Sequence, residues 1–375
     1  MKLFACAICS QPLHFETSRC DSCGTPQGFD PGEMELVPAE RPGRGEMLCA
    51  NAEPGGCNWL TEPGEPFCRA CRYNRTIPDL SQGDNTQLWR TIEVAKRRMF
   101  YSLFRFGLRP ETRLEAPDGL AFDFLADPTD PSRPVMTGHS DGLITVNIKE
   151  ADDVERERRR RDLGEAYRTL LGHFRHEIAH YFWGVLTRDQ GALEQFREVF
   201  GDERPDYGEA LARYYRDGPP ARWQDHFVSA YASSHPWEDF AETWAHYFHM
   251  VDTLETACFL KVFGAAPDPE GESPASQDPS PIDFDPYSEP RFERMVQSWM
   301  RLAFSLNLLN RSMGMPDLYP FQLSPPAVCK LSFVHAWIRQ SVGRAGRTDT
   351  AMAALRAMAE GLRSGMSAPA EDIVK

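Results

Sequence analysis

The sequence lacks any apolar run close to the roughly 20 residues that a membrane-spanning helix needs. It also lacks an excess of positive charge, since 41 Lys and Arg residues stand against 55 Asp and Glu residues, a net charge of −14 at pH 7. A basic surface is what binding to nucleic acid or to an anionic membrane requires. These absences argue against a membrane protein and against a chain built mainly to coat nucleic acid.

A long apolar N-terminal segment is missing as well. The first residues run directly into the cysteine pair Cys6 and Cys9, without the apolar core and small-residue cleavage site of a signal peptide. We therefore expect a cytoplasmic protein. Cysteine is scarce beyond residue 71, where only Cys258 and Cys329 occur, and we expect both to be core thiols. In a reducing compartment, closely paired cysteines indicate a metal site more often than disulfides.

Residues 1–75 are rich in Cys, Gly and Pro and have little apolar periodicity, so we expect them to lack a hydrophobic core and to need metal in order to fold. The first cysteine group has two CxxC pairs ten residues apart, the spacing of a zinc ribbon. The second group has one CxxC pair. We predict two structural zinc sites, formed by Cys6, Cys9, Cys20 and Cys23 and by Cys49, Cys57, Cys68 and Cys71. Pairing across the two groups and reduced thiols are the alternatives.

The charge of the ribbon region indicates what it does not bind. Residues 1–80 contain seven Lys and Arg against eleven Asp and Glu, a net of −4. A surface that reads phosphates needs the opposite sign. We expect a structural role or a docking site for a protein partner, and no nucleic-acid partner.

The remainder of the chain predicts an α+β fold, with a mostly helical domain and a small sheet over residues 80–345. Residues 112–150 read as strands, with alternating apolar residues after a turn. Apolar spacings of three and four predict helices from about Asn85 to Phe106, Leu163 to Leu186, Trp237 to Leu260, Arg291 to Met313 and Cys329 to Val342. We expect a mobile Pro-rich loop over residues 264–290 and a tail over residues 346–375.

The chemistry is concentrated in the motif His176-Glu177-Ile178-Ala179-His180, an HExxH pattern. On a helix, positions four apart share one face, so both imidazoles can bind one zinc ion. Glu177 is offset around the helix, where it can reach a zinc-bound water. We predict His176 and His180 as zinc ligands and Glu177 as the general base. His173 shares their face, and a place at the surface or beside the ligands is enough to explain it.

A third ligand is required, because catalytic zinc takes three protein ligands and leaves a fourth position for water. The predicted helix that begins near Trp237 carries Glu238, Glu242 and His246 at intervals of four residues, so they lie along one face. This helix is the expected supplier of the third ligand. The spacing leaves Glu238 and Glu242 as alternatives.

The HEIAH and WEDFAE elements, with Tyr231 upstream, resemble those of gluzincin metallopeptidases, including the lethal-factor type. Over its full length the chain is similar to bacterial zinc-binding metallopeptidases with an N-terminal zinc ribbon, which implies that residues 80–345 form a zincin-like metallopeptidase domain. The resemblance implies that Glu238 is the ligand, that Glu242, with His246 beside it, supports a ligand histidine, and that Tyr231 stabilises the tetrahedral intermediate. Two features depart from the pattern: the 57-residue gap after His180, and glutamate at position 242 where many relatives carry aspartate.

Together these residues predict a zinc-dependent peptidase that cleaves a protein or peptide substrate with zinc-activated water and Glu177 as base. It would hold one catalytic and two structural zinc ions. Tyr231 is the expected donor to the oxyanion. Three histidines are the alternative donors: His226, His235 and His246. By analogy with zincins, we expect Leu143 to Ile148 to be an edge strand that binds extended substrate.

Other classes of function are compatible with parts of this pattern. A non-catalytic scaffold could use the ribbon to bind a partner, but a structural metal site has no need of Glu177. A DNA-associated protease would combine a ribbon with HExxH, and the acidic ribbon argues against it. Hydrolysis of a non-peptide amide is a further alternative.

Overall fold

The computed structural model describes residues 1–128, 135–154, 156–157, 169–262 and 282–343. The predicted α+β fold is confirmed, with small sheets and a larger helical part. Three predictions fall wholly or partly outside the described residues: the start of the helix expected from Leu163, residues 264–281 of the expected loop, and the tail at 346–375. In the part of the chain that is described, no helix combines the length and apolar character needed to cross a membrane.

The ribbon region is built from two antiparallel hairpins. Strand β1 (Phe4–Ala5) pairs with β2 (Pro12–Leu13), and β3 (Gln27–Asp30) pairs with β4 (Glu35–Pro38). A short helix α1 (Ala52–Gly55) follows. The strands are only two to four residues long, so strand pairing alone cannot order this region, and tight turns around the cysteines fill the space between them.

The expectation that residues 1–75 lack a hydrophobic core is wrong. Phe29 and Trp59 are fully buried, and their ring centroids lie 4.7 Å apart. Phe15 lies 4.9 Å from Phe29 and 5.3 Å from Tyr101, which belongs to the first long helix after the ribbon. The ribbon therefore shares one hydrophobic core with the rest of the protein. Its aromatic residues are irregularly spaced, so periodicity did not reveal them.

The main sheet has four strands: β5 (Asn74–Thr76), β6 (Ala121–Leu125), β7 (Gly138–Ser140) and β8 (Leu143–Asn147). Their order across the sheet is β5-β6-β8-β7. Pairs β5-β6 and β6-β8 are parallel, and β7 is antiparallel to β8. Leu143–Ile148 was expected to be an edge strand, and this is wrong because β8 lies between β6 and β7. A tight turn at Gly142, whose φ is +80°, folds β7 back along the outer side of β8.

Seven longer helices complete the described fold: α2 (Asn85–Arg105), α3 (Leu170–Leu186), α4 (Gln190–Phe200), α5 (Tyr207–Asp217), α6 (Pro236–Leu260), α7 (Phe292–Ser312) and α8 (Pro325–Gly343). Helices α3 and α6 pack directly on each other, with the rings of Phe182 and Trp244 stacked 5.0 Å apart. On its other side, α3 contacts the sheet through Phe174, whose ring lies 5.9 Å from Phe122. This packing fixes α3 between the sheet and α6. Cys258 and Cys329, expected in the core, are only partly buried.

Candidate functional site

Helix α3 begins with a side-chain cap and places its two motif histidines on one face. The Thr169 hydroxyl accepts a hydrogen bond from the backbone N–H of Gly172 at 2.9 Å, which satisfies an otherwise unpaired donor of the first turn. The Nε2 atoms of His176 and His180 lie 3.2 Å apart. The intervals of four residues therefore bring two nitrogen ligands together, as HExxH predicts.

Helix α6 brings a carboxylate to the same point. His235 caps its N-terminus, with Nδ1 accepting from the backbone N–H of Trp237 at 3.1 Å. Glu238 follows in the first turn, where the positive end of the helix dipole favours a negative charge. Its Oε2 lies 3.0 Å from Nε2 of His176, and its Oε1 lies 3.8 Å from Nε2 of His180. One ligand atom from each of these three residues lies within 4.8 Å of the others.

This donor set fits zinc. Tetrahedral zinc binds nitrogen and oxygen at about 2.0–2.1 Å, which places its ligand atoms about 3.4 Å apart. The distances between the ligand groups, 3.0, 3.2 and 3.8 Å, lie on both sides of that value. Burial lowers the pKa of His180 to about 4, so its imidazole is neutral at pH 7 as a ligand must be. Burial alone would raise the pKa of Glu238, but His180 and His176 lower it to about 2, so the ligand is a carboxylate. Its Oε2 is buried and makes no well-directed hydrogen bond to the described residues.

Glu242 lies behind His176. Its Oε1 is 2.7 Å from Nδ1 of His176, and its Oε2 accepts a hydrogen bond from the Ser229 hydroxyl at 2.6 Å. A carboxylate at Nδ1 fixes the tautomer and the orientation of a ligand imidazole, so that Nε2 points towards the metal. The geometry therefore favours Glu238 as the ligand, with Glu242 supporting the imidazole of His176.

Tyr207, at the start of α5, is a site residue that sequence reasoning missed. Its hydroxyl donates to Oε1 of Glu238 at 2.7 Å, which leaves Oε2 to face the histidines. Asp206 caps α5 by accepting from the backbone N–H of Glu209 at 2.8 Å, and this cap was a readable signal for the helix. No motif links Tyr207 to Glu238, 31 residues further along the chain.

Tyr231 begins a short 3-10 turn, Tyr231–Ser233, immediately before α6. Its ring centroid lies 6.1 Å from that of His176, so the structure brings it beside the predicted ligands. Burial and the charge of Glu238 raise the pKa of its hydroxyl. Tyr231 is therefore protonated at neutral pH, as a hydrogen-bond donor must be.

The alternative histidine donors make other contacts. His235 is the helix cap of α6, and the backbone carbonyl of His226 accepts from Nζ of Lys330 at 2.8 Å. His246 was expected to support the ligands, but its Nδ1 lies 2.9 Å from the Tyr319 hydroxyl. Eight residues of helix separate it from Glu238, a rise of about 12 Å. Burial lowers the pKa of His246 to about 4 against the charge of Glu242, one helical turn before it, and its supporting role stays a prediction.

His139 shows where the edge strand passes the site. It lies in β7, and its ring centroid is 6.0 Å from that of His180. Its Nε2 accepts from the backbone N–H of Gly142 at 3.1 Å, which holds the ring against the turn, and burial lowers its pKa. The strand beside the histidines is thus β7 rather than β8.

The predicted base, Glu177, has two differently placed carboxylate oxygens. Oε1 lies 3.0 Å from Nε2 of His173, one helical turn before it. Oε2 is buried and has no hydrogen-bond partner in the described part of the chain. Burial raises the pKa of Glu177, but the hydrogen bond and charge of His173 outweigh it and lower the pKa. The carboxylate is therefore ionised and able to accept a proton.

The eight N-terminal cysteines form two separate groups, Cys6, Cys9, Cys20 and Cys23, and Cys49, Cys57, Cys68 and Cys71. Sulfur–sulfur distances are 3.6 Å for Cys6–Cys23 and Cys9–Cys20, and 3.8 Å for Cys57–Cys68 and Cys57–Cys71. Zinc–sulfur bonds of about 2.3 Å in a tetrahedron give about 3.8 Å, whereas a disulfide needs about 2.05 Å. Both groups fit zinc, and the geometry gives no support to pairing across them.

The second cysteine group packs against buried charges on α2. The Glu93 carboxylate lies 3.7 Å from the Cys71 sulfur, and Nζ of Lys96 contacts Glu93 at 2.7 Å. Arg97 lies 3.6 Å from Glu93 and donates to the carbonyl of Gly56 at 3.0 Å. A four-thiolate zinc site carries two negative charges and the Glu93 carboxylate can add a third, so Lys96 and Arg97 offset only part of the negative charge gathered here. The second group therefore lies at the junction between the ribbon and the helical part.

Comparisons with known proteins agree with this arrangement. Residues 85–337 match the family described as "Putative zinc-binding metallo-peptidase", and residues 3–82 match a zinc-ribbon domain. Uncharacterised proteins of Mycobacterium tuberculosis (strain H37Rv) and Mycobacterium bovis are each 40% identical over 339 residues, covering 89% of this chain and 94% of theirs. No solved structure matches the chain.

Proposed function

The chain belongs to this family of zinc-binding metallopeptidases, and on that premise we propose that it hydrolyses peptide bonds at a zinc ion held by His176, His180 and Glu238. The observation that carries the proposal is the convergence of two imidazoles and one buried carboxylate beside an HExxH glutamate. A purely structural site has no use for an ionised carboxylate next to its ligands with an oxygen, Oε2 of Glu177, that has no hydrogen-bond partner among the described residues.

The chemistry follows from the placement of the residues. Zinc, when bound, lowers the pKa of a coordinated water and polarises the scissile carbonyl. Oε2 of Glu177 takes the proton of the attacking water and delivers it to the leaving amine. The protonated Tyr231 hydroxyl donates to the oxyanion as negative charge develops there. Tyr207 and Glu242 hold Glu238 and His176 in the geometry that this requires.

Strand β7 is the proposed binding site for the substrate backbone. It pairs with β8 on one side, and no described strand pairs with its other side. An extended peptide can add to such an edge through backbone hydrogen bonds. His139 in β7 lies close to His180, so a peptide on this edge would pass the zinc ligands. The proposal thus moves to β7 the role that was expected for the neighbouring strand, β8.

We also propose that the two cysteine groups hold structural zinc ions, which order residues 1–75 and join them to the domain at 80–345. In small cysteine-rich modules, the free energy of zinc binding is the free energy of folding. The cytoplasm, where these thiols stay reduced, is the proposed compartment.

A peptide-library assay tests the proposed activity. Zinc-loaded wild-type protein and Glu177→Gln are incubated with peptides from a digested bacterial proteome, and mass spectrometry identifies new termini. We expect cleavage by the wild type alone, with equal zinc content in both proteins. Equal cleavage by both would exclude Glu177 as the base. No cleavage by either zinc-loaded protein would favour a non-catalytic scaffold.

A further inference from the structure

Three contacting side chains, Glu150, His173 and Glu177, connect the sheet to the predicted base. Glu150 lies in a 3-10 turn, Ile148–Ala151, that begins where β8 ends. Its Oε2 lies 2.5 Å from Nδ1 of His173, and Nε2 of His173 lies 3.0 Å from Oε1 of Glu177. Glu150 and Glu177 are buried, and the His173 side chain is 22% exposed. His173 is therefore held at both ring nitrogens.

The two neighbours of His173 determine its protonation. An ionised carboxylate can only accept hydrogen bonds, so each ring nitrogen that faces one must carry a hydrogen. Burial would lower the pKa of His173, but the charge of Glu150 and the hydrogen bonds to both carboxylates raise it to about 10. The imidazole is thus a cation that donates in two directions at neutral pH.

We propose that His173 is a positioning residue for catalysis, which Glu150 holds in place and which fixes the carboxylate of Glu177 by occupying its Oε1. This inference rests on the proposed function, in which Glu177 is the base. Oε2, which has no hydrogen-bond partner among the described residues, is then the oxygen that faces the attacking water. A glutamate side chain has several rotatable bonds, and a misplacement of about 1 Å at a reacting group can cost roughly 100-fold in rate.

The turn that carries Glu150 is itself held in place by hydrogen bonds, so Glu150 is fixed relative to the sheet. The Asn147 side chain caps it by accepting from the backbone N–H of Lys149 at 3.0 Å. Asn147 also donates to Asp127 at 2.7 Å and to the carbonyl of Val135 at 3.1 Å. The position of the base is therefore set by the end of the central strand β8 as well as by its own helix.

Two amide variants of His173 separate positioning of the base from a merely structural ion pair. In His173→Gln, the amide nitrogen can occupy the place of Nε2 and still donate to Glu177. In His173→Asn, the shorter side chain can occupy the place of Nδ1 and reach Glu150, but it cannot reach Glu177. A role in positioning favours Gln, whereas a structural role through the contact with Glu150 favours Asn. His14→Gln, an exposed ribbon position, is the control.

The rate measurement uses a cleaved peptide from the library assay. We expect His173→Asn to lower kcat roughly 100-fold with KM and zinc content unchanged. His173→Gln and the control should stay within a few-fold of the wild type. A kcat of His173→Asn equal to that of the wild type would overturn the inference, as would equal losses in both amide variants. Thermal unfolding of each variant shows that the comparison is made between folded proteins.

A spectroscopic measurement does not depend on activity. In histidine-labelled wild-type protein at pH 8, the ¹⁵N resonances of His173, identified by their loss in His173→Gln, should show both ring nitrogens protonated. An unprotonated Nε2 would overturn the inference, because it could not donate to Oε1 of Glu177. If the wild type and Glu177→Gln cleave equally, the proposed function fails, whatever the spectrum shows. If Glu177→Gln is inactive while His173→Asn is fully active, only the inference about His173 fails.

Discussion

The carboxylate behind His176 gives the most quantitative test of how the site holds zinc. Glu242 contacts His176 at 2.7 Å and the Ser229 hydroxyl at 2.6 Å. Glu242→Gln retains an acceptor for His176 but removes the charge, whereas Glu242→Ala removes both contacts. Loss of such a partner typically weakens metal binding 10- to 100-fold. We expect about tenfold weaker zinc binding for Gln and about 100-fold for Ala, or about 1.4 and 2.7 kcal/mol.

The assay is a competition titration with a chromogenic zinc chelator, which follows the third zinc ion after both cysteine groups are filled. Glu198→Gln, which changes an exposed carboxylate on α4, is the matched control and should bind zinc as the wild type does. Wild-type affinity in Glu242→Ala would refute a supporting role for Glu242. Complete loss of the third zinc in Glu242→Ala, with retention in Glu238→Ala, would identify Glu242 as the ligand instead.

Three further predictions concern residues around the site. Tyr207→Phe removes the hydrogen bond to Glu238, so the same titration should show about tenfold weaker zinc binding; unchanged affinity would contradict this. Asp239 and Lys330 form a buried ion pair at 2.6 Å. Asp239→Asn should lower the free energy of unfolding in urea by about 3–5 kcal/mol, with partial recovery when Lys330→Met is added. A loss below about 1 kcal/mol would contradict a buried ion pair. Because folding raises the pKa of His173 from 6.5 to about 10, its contribution to stability is complete below about pH 6.5 and is lost as the pH rises through 10. The difference in unfolding free energy between the wild type and His173→Gln should shrink over that range, and a constant difference would contradict the assignment.

The local part of the site could be predicted from the sequence. The interval of four between His176 and His180 fixes their shared face wherever the segment is helical, and the surrounding apolar stripe makes it helical. The same periodicity could not choose between Glu238 and Glu242, because both lie on one face of α6. Tertiary packing gives the two carboxylates different contacts, since one reaches Nε2 of His176 and the other reaches Nδ1 of the same ring.

Contacts between distant segments could not be predicted. The hydrogen bond from Tyr207 to Glu238 depends on how α5 packs before α6, and the Glu150 contact of His173 spans 23 residues. Helices α4 and α5 were missed as well. Their signals are nonetheless in the sequence, since Asp189 and Asp206 accept hydrogen bonds as their N-caps, and Leu193, Phe196 and Phe200 of α4 recur at intervals of three and four.

The edge of the sheet shows the limit of strand patterns. Strand β8 has the clear alternation of a strand and was identified, but β7 has only three residues, Gly138–Ser140, and little pattern of its own. Pairing between the two follows from the tight turn at Gly142. Alternation identifies a strand, whereas its neighbours in the sheet depend on turns and on longer connections.

The most direct test of the central claim is the zinc content of the purified protein, measured by elemental analysis in the wild type, His176→Ala and Glu238→Ala. We expect about three zinc ions per wild-type chain, two at the cysteine groups and one at the histidines, and about two in each folded variant. Wild-type zinc content in both variants would contradict a zinc site at His176, His180 and Glu238.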